Sequence, residues 1–272
     1  MPEFYLDQWT VDGKLWRYTR DPFKQRVNAK RKSPREVGFE HDLYSLEPER
    51  FTDLGQDELE ARLAGEEGSA ACVFAKMLAA GVASLSREER KAWSGFMYLQ
   101  LERDPDRLRY ATTLAERLRR ETLECFPLLP DDVSRLITPA AARSMARGLL
   151  VAPDPARSEW EQRLESWMWN SASAPGRFIT SDRPVMLDFG TGGPGVEASC
   201  VALALSPDRL LLCTPRSWEE ELDHDWLRDI GAMFNAFIVA SGPRFIFSAR
   251  PLEEASGVTL QFVEQCLAPA NR

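Results

Sequence analysis

In the middle of the chain the apolar positions fall at spacings of three and four. Trp93, Phe96, Met97 and Leu101 line up with Gln100 on one stripe, the pattern of a helix that buries one face. Ser86-Arg87-Glu88-Glu89 stands just ahead of it. This is a capping box: the Ser hydroxyl and the Glu carboxylate satisfy amides that a helix start leaves unbonded. A second helix opens at Pro105 and carries Leu108, Ala111, Ala115, Leu118 and Leu123. Thr138-Pro139 reads as an N-cap followed by proline in the first helical position. A last helix in this region carries Trp160, Leu164, Trp167 and Met168. The spacing predicts a helical core of Phe74, Leu78, Trp93, Phe96, Met97, Leu101, Leu108, Leu118, Leu164 and Trp167.

Toward both ends the period shortens to that of strands. Phe4-Tyr5-Leu6 and Lys14 to Tyr18 are aromatic-rich runs on either side of Val11-Asp12-Gly13, and Asp-Gly tolerates the positive φ of a tight hairpin turn. A second strand pair is expected at Arg26 to Asn28 and Asp42 to Leu46, separated by the breaker Lys32-Ser33-Pro34. Beyond Ala174-Pro175-Gly176, strands are expected at Phe178 to Thr180, Val185 to Phe189, Val201 to Leu205, Leu210 to Cys213 and Phe245 to Phe247. Ser217-Trp218-Glu219-Glu220 is another capping box, and Trp226 to Ala240 reads as an amphipathic helix. The expected organisation is a single α+β domain over 1–272: 1–50 β-rich, 51–174 helical, 175–272 β-rich with one or two helices. The end segments would form a mixed or antiparallel sheet packed on the helical middle.

Composition narrows the function classes. The longest apolar runs are far too short to span a bilayer, and the N-terminus lacks a basic-then-apolar signal, so a cytoplasmic protein without membrane partners is expected. Five cysteines without a CxxC pair read as reduced thiols. With only His41 and His224, no metal site of the usual zinc kind is expected. Gly190 to Gly195 lacks the Lys-Ser/Thr ending of a phosphate-cradling loop and reads as a hairpin loop. The net charge is −8, yet Lys14 to Arg35 holds nine Lys or Arg against the single acid Asp21. Lys14, Arg17, Lys30, Arg31 and Lys32 are therefore either polyanion or nucleic-acid contacts or the solvated face of a hairpin.

The densest chemistry lies in Arg177 to Leu187, where a polar turn sits between two apolar strands. Asp182 either bonds the backbone of its own turn before Pro184 or presents a carboxylate to an arginine or a metal. Thr180 and Ser181 are strand-end hydroxyls, with no neighbouring His-Asp pair to make Ser181 a nucleophile. Arg103 closes the Trp93 helix, as a partner of the helix dipole or as an anion-binding group. Glu40 and Asp42 alternate onto one strand face with His41 on the other. A divalent cation held there, completed by Glu67 or Asp182, is the alternative to plain surface charge.

Several of these residues fall in motifs that resemble a known family. Pro2 to Leu6, Gly13 to Trp16, Val37 to Tyr44, Glu67 heading a helix, Gln100 to Pro105, Ile179 to Pro184, and Asn235 with Arg244 to Ser248 follow one another in the order of the bacterial domain-of-unknown-function family 4238. The histidine-containing run that the family places before Phe-Tyr-Leu has no counterpart ahead of Phe4. The resemblance groups the chain by fold over nearly its whole length and implies no reaction. Two readings of function follow. One is a non-catalytic ligand-binding or regulatory module, for instance of a defence or toxin-related locus. The other is a hydrolase or nuclease acting on a phosphodiester or other anionic substrate through a divalent cation, the only cofactor either reading calls for. The candidate polar site common to both is Asp182, Ser181, Thr180, Arg103, Arg244, Glu40, Asp42, Glu67 and Asn235.

Overall fold

The computed structural model describes residues 1–21, 26–37, 56–126, 138–139, 141, 155–174, 176–188, 200–216, 224–254 and 258–267, with the backbone alone for 56–60, 105, 108 and 224–230. The architecture is α+β, with two antiparallel four-stranded sheets where one was expected. The first joins β1 (Leu15–Arg20), β2 (Val27–Lys32), β4 (Thr180–Ser181) and β8 (Ile246–Ser248) in the order β2-β1-β8-β4. The second joins β3 (Met168–Ser173), β5 (Val185–Asp188), β6 (Cys200–Ser206) and β7 (Arg209–Thr214) in the order β3-β7-β6-β5. Only the first draws on both ends of the chain. In the second sheet the two central strands, β6 and β7, are buried along almost their whole length, so its middle is covered on both faces.

The N-terminus corrects the strand expected at Phe4 to Leu6. Glu3–Leu6 is a short helix, α1, continued by a 3-10 turn at Asp7–Trp9. The helical path places Tyr5 and Trp9 one turn apart, with ring centroids 4.9 Å apart, and buries both. Burial of that pair outweighs the β preference of aromatic side chains. Asp12 and Gly13 take φ of 53° and 69°, and Val11 and Lys14 exchange backbone bonds of 2.8 and 3.2 Å across them. The tight turn is thus present, but it leads from the 3-10 turn into β1 and joins no pair of long strands. β1 pairs with β2 from Leu15 opposite Lys32 to Arg20 opposite Val27. β2 stops at Lys32 ahead of Pro34, as the breaker requires. The partner strand expected at Asp42 to Leu46 and the loop at Gly190 to Gly195 lie outside the described residues, as does the capping box at Ser217.

The helices α2 (Gln56–Ala80), α3 (Arg87–Glu102) and α5 (Pro155–Ser166) pack together, α3 against both others. The box at Ser86 forms: the Glu89 amide donates to Ser86 Oγ at 3.2 Å, and the Ser86 amide donates to Glu89 Oε2 at 2.7 Å. Thr138 caps as read, accepting from the Ala141 amide at 3.0 Å. The helix expected to run through Met168 ends at Ser166, and β3 begins within its apolar run. Trp167 and Met168 continue the helical spacing by coincidence, which conceals the change of period. The Trp169 indole donates to the Leu164 carbonyl at 2.9 Å and so satisfies the helix end.

Of the ten core positions, Phe74, Trp93, Phe96, Met97, Leu164 and Trp167 are buried. Leu78 and Leu101 are partly buried against the same cluster. The Leu108 side chain lies outside the described residues. Leu118 on α4 (Pro105–Cys125) is 51% exposed, a correction to the expected stripe. Leu118→Ala is accordingly expected to change stability by no more than about 0.5 kcal/mol in urea unfolding. A loss near the ~2–5 kcal/mol of a buried Leu→Ala would show that the face is covered. No described helix is long and apolar enough to cross a membrane. Of the remaining helices, α6 (His224–Ala240) touches β4 and β5, one strand from each sheet, and α7 (Leu260–Cys266) packs on α6 and β2.

Candidate functional site

The turn at Asp182, Arg183 and Pro184 is the passage from one sheet to the other, since β4 belongs to the first and β5 to the second. Buried hydrogen bonds hold this seam. The Tyr5 hydroxyl donates to the Ala204 carbonyl of β6 at 2.7 Å and lies 2.9 Å from Thr180 Oγ1 on β4. Its proton is committed to the carbonyl, so Thr180 donates to it. Burial pushes the Tyr5 hydroxyl well above its usual pKa, and the Thr180 bond only partly opposes this; Tyr5 is neutral and structural. The Asn235 side chain of α6 clamps the strand before the turn, accepting from the Ile179 amide at 3.1 Å and donating to the Arg177 carbonyl at 2.6 Å. Ser181 Oγ accepts from the Arg183 amide at 3.0 Å, a local bond that shapes the turn. Thr180, Ser181 and Asn235 are all buried. They position the site and do not face an incoming ligand.

Asp182 combines the two roles weighed for it, with a different partner for the turn. Its carboxylate accepts from the amides of Arg244 and Phe245, both at 3.1 Å, and lies 3.5 Å from Arg244 Nε. The bonded backbone is therefore chiefly that of the segment entering β8. Its side chain is one-tenth exposed. Desolvation raises its pKa above the usual carboxylate value, and the Phe245 amide and the Arg244 and Arg183 charges oppose the rise without cancelling it.

A second ionic group reaches the seam from the junction of α3 and α4. Arg103 closes α3 and pairs with Glu67, which lies within α2 and does not head a helix as expected. Asp104 caps α4 by accepting from the Asp106 amide at 2.9 Å. Arg183 joins this junction to the sheets. It pairs with Asp104 at 3.0 Å and with Asp106, and it donates to the Ser241 carbonyl at 2.8 Å. The buried Met1 amine feels the whole group. Burial first and then the Arg103 charge lower its pKa to about 6, against the opposing pull of Glu67 and Asp182. Arg103, Glu67 and Asp182 all act on this amine, and Arg244 lies beside Asp182.

Beside the turn lies a cavity of about 230 Å³. Its polar wall is Gln100, Asp104, Arg107, Arg183 and Ser241; its apolar wall includes Leu101, Val185, Leu187 and Phe237. Gln100 is only 5% exposed, and its Nε2 has no hydrogen-bond partner among the described residues. An amide left in this state costs about 1–3 kcal/mol of desolvation, and the nitrogen itself is closed to solvent, so Gln100 borders the cavity through the rest of its side chain. Sequence reasoning missed Gln100 as a site residue. The available signal was an amide standing within the otherwise apolar stripe of α3. Asp104, Asp106 and the bridging role of Arg183 were also missed, since only the tertiary fold brings α4 to the turn.

Glu40 and Asp42 lie outside the described residues, and with them the proposed convergence on Asp182. Among the described residues no group of three or more His, Cys, Asp or Glu is placed to hold a metal ion. The basic residues of β1 and β2 form a separate surface, which meets the site where the Arg17 guanidinium lies over the Phe245 ring at 5.6 Å.

The family model described as "Protein of unknown function (DUF4238)" matches residues 1–250. No curated protein and no solved structure matches the chain. Two motifs carrying that likeness, Gln100 to Pro105 and Ile179 to Pro184, meet at the cavity through the Arg183–Asp104 pair.

Proposed function

We propose that the chain, which belongs to the DUF4238 family, is a ligand-binding module whose site is the cavity beside the Asp182 turn. The observation that carries this reading is the cavity wall itself, where the polar side chains of Gln100, Asp104, Arg107, Arg183 and Ser241 face the apolar Leu101, Val185, Leu187 and Phe237. A volume of about 230 Å³ is smaller than the roughly 300–1,000 Å³ of drug-sized sites, which favours a small metabolite. The lining supports a molecule with an acceptor oxygen at one end, for the guanidinium groups of Arg107 and Arg183, and a short apolar body for Leu101, Val185, Leu187 and Phe237. No nucleophile with an activating base lines the cavity among the described residues, which favours binding over catalysis. A metal-assisted hydrolase draws no support from Asp182, whose carboxylate is taken up by two amides and a guanidinium.

Thermal unfolding in the presence of short-tailed carboxylates and carboxamides tests the reading. A ligand at about a hundred times its Kd should stabilise the protein by about 2.7 kcal/mol. Arg107→Leu should abolish that stabilisation while costing the free protein no more than about 1 kcal/mol, because the pair it makes with Glu102 is partly exposed. If the variant responds to the same ligand as strongly as the parent does, the ligand binds elsewhere.

A further inference from the structure

We infer that the ribbon of β1 and β2 binds single-stranded nucleic acid along the face that carries Trp16 and Arg31, at a site separate from the cavity and independent of it. In a chain of net charge −8, six cations gather on this one ribbon without a carboxylate partner among the described residues: Lys14, Arg20 and Arg31 on the face of Trp16, and Arg17, Arg26 and Lys30 on the other. Where these side chains have partners, the partners are neutral. Arg20 donates to the Leu267 carbonyl at 3.3 Å, Arg31 donates to the Val11 carbonyl at 2.5 Å, and Arg17 lies over the Phe245 ring. Lys14, Arg26 and Lys30 are exposed. The neighbouring Lys32 and Arg35 show the contrast, since they are neutralised by Glu36 at 3.1 Å and Glu3 at 2.7 Å.

An edge strand is often armed with lysine merely to repel other strands. That role explains Lys30 on β2, the edge of its sheet, but neither the arginines on the interior strand β1 nor the aromatic beside them. Trp16 is half-buried, stands directly across from Arg31, and stacks on Tyr18 with centroids 6.4 Å apart at 28°. Across from Tyr18 is the small, exposed Ala29. Cations that track a phosphate backbone around an aromatic face that can stack a base are the elements of single-strand recognition. A duplex, whose bases are already stacked, would use the charges and leave Trp16 idle.

Fluorescence anisotropy with a labelled oligothymidylate of about twenty nucleotides tests this. Binding should weaken about fifty-fold between about 50 and about 200 mM salt, as neutralising about four phosphates of a single strand requires. Lys14→Glu with Arg31→Glu changes two exposed side chains on the face of Trp16 and should abolish binding while leaving the fold and the ligand response of the cavity intact. Trp16→Ala should weaken binding about ten-fold, the effect of losing one base stack. The charge-reversed pair carries the test if Trp16→Ala does not fold. The proposal is overturned if the oligonucleotide fails to bind at about 50 mM salt or if the charge-reversed pair binds as the parent does. It is overturned equally if a duplex of the same length or a phosphatidylserine vesicle binds as tightly as the single strand, which would make the surface a general polyanion contact.

Discussion

Asp182→Ala is expected to destabilise the protein by about 3–5 kcal/mol, the cost of removing one partner from a buried charge pair. The alanine would strand two amides, those of Arg244 and Phe245, together with the Arg244 guanidinium. Asp182→Asn keeps an oxygen for the amides but turns a donor toward a region already rich in donors, and it removes the charge opposite Arg244. It should cost about 1.5–3 kcal/mol, the range for a hydrogen bond to a charged group. Urea unfolding of both variants at neutral pH measures the two losses. An Asn variant within about 0.5 kcal/mol of the parent would show that the charge is immaterial to the seam.

The pH dependence of that loss has a defined sign. The Asp182 pKa is raised in the fold, so the native state holds its proton to higher pH than the unfolded chain does. Parental stability therefore falls as pH climbs from the usual value of 3.8 through the raised one. An Asn side chain does not titrate, so the deficit of Asp182→Asn should narrow over the same window. A deficit that widens with pH would mean that the seam lowers this pKa after all.

Trp93→Ala is the second large effect, expected at about 3–5 kcal/mol. Trp93 is fully buried and lies flat between two rings, Phe74 at 5.5 Å and 11° and Phe96 at 4.8 Å and 30°. No small rearrangement of α2 and α3 would fill the space its removal leaves, so the loss combines transfer energy with a cavity. Its indole nitrogen has no partner among the described residues. Trp93→Phe therefore gives up packing but no hydrogen bond, and it should cost less than half as much as the alanine. Equal losses in the two variants, read by urea unfolding, would mean that the indole nitrogen is bonded in solution.

Much of the local structure is written in short segments. Ser86 and Glu89 can cap a helix only with each other, Asp12-Gly13 can take positive φ where most residues cannot, and Pro34 must end a strand. Each of these depends on residues a few positions apart, so each was legible before the fold was known. The same holds for the core of α3, where the spacing of Trp93, Phe96 and Met97 already defines a face. It fails where two periods overlap. Trp167 and Met168 extend the stripe of Trp160 and Leu164 while already belonging to the approach to β3, and no local rule separates them. It fails again at Leu118, which has the right spacing but, in the described fold, no neighbour to bury it.

The candidate site divides along the same line. The sequence by itself determined that Thr180 to Pro184 would be an ordered polar turn at a strand end, because hydroxyl, carboxylate and proline at that spacing restrict the backbone locally. It also determined that Asp182 would need an arginine or amides, since a buried carboxylate cannot go without donors. Only the tertiary structure decided which donors these are. Arg244 and Phe245 come 62 and 63 residues later, and Arg183 meets an aspartate 79 residues away. Such distant pairings follow from how β4 pairs with β8 in the first sheet while β5 enters the second, and which strands pair depends on the packing of whole elements rather than on any short run of residues. The Gln100 amide makes the same point in reverse. Its place in the stripe was plain from spacing, but only the meeting of α3 with the turn made it part of a cavity wall.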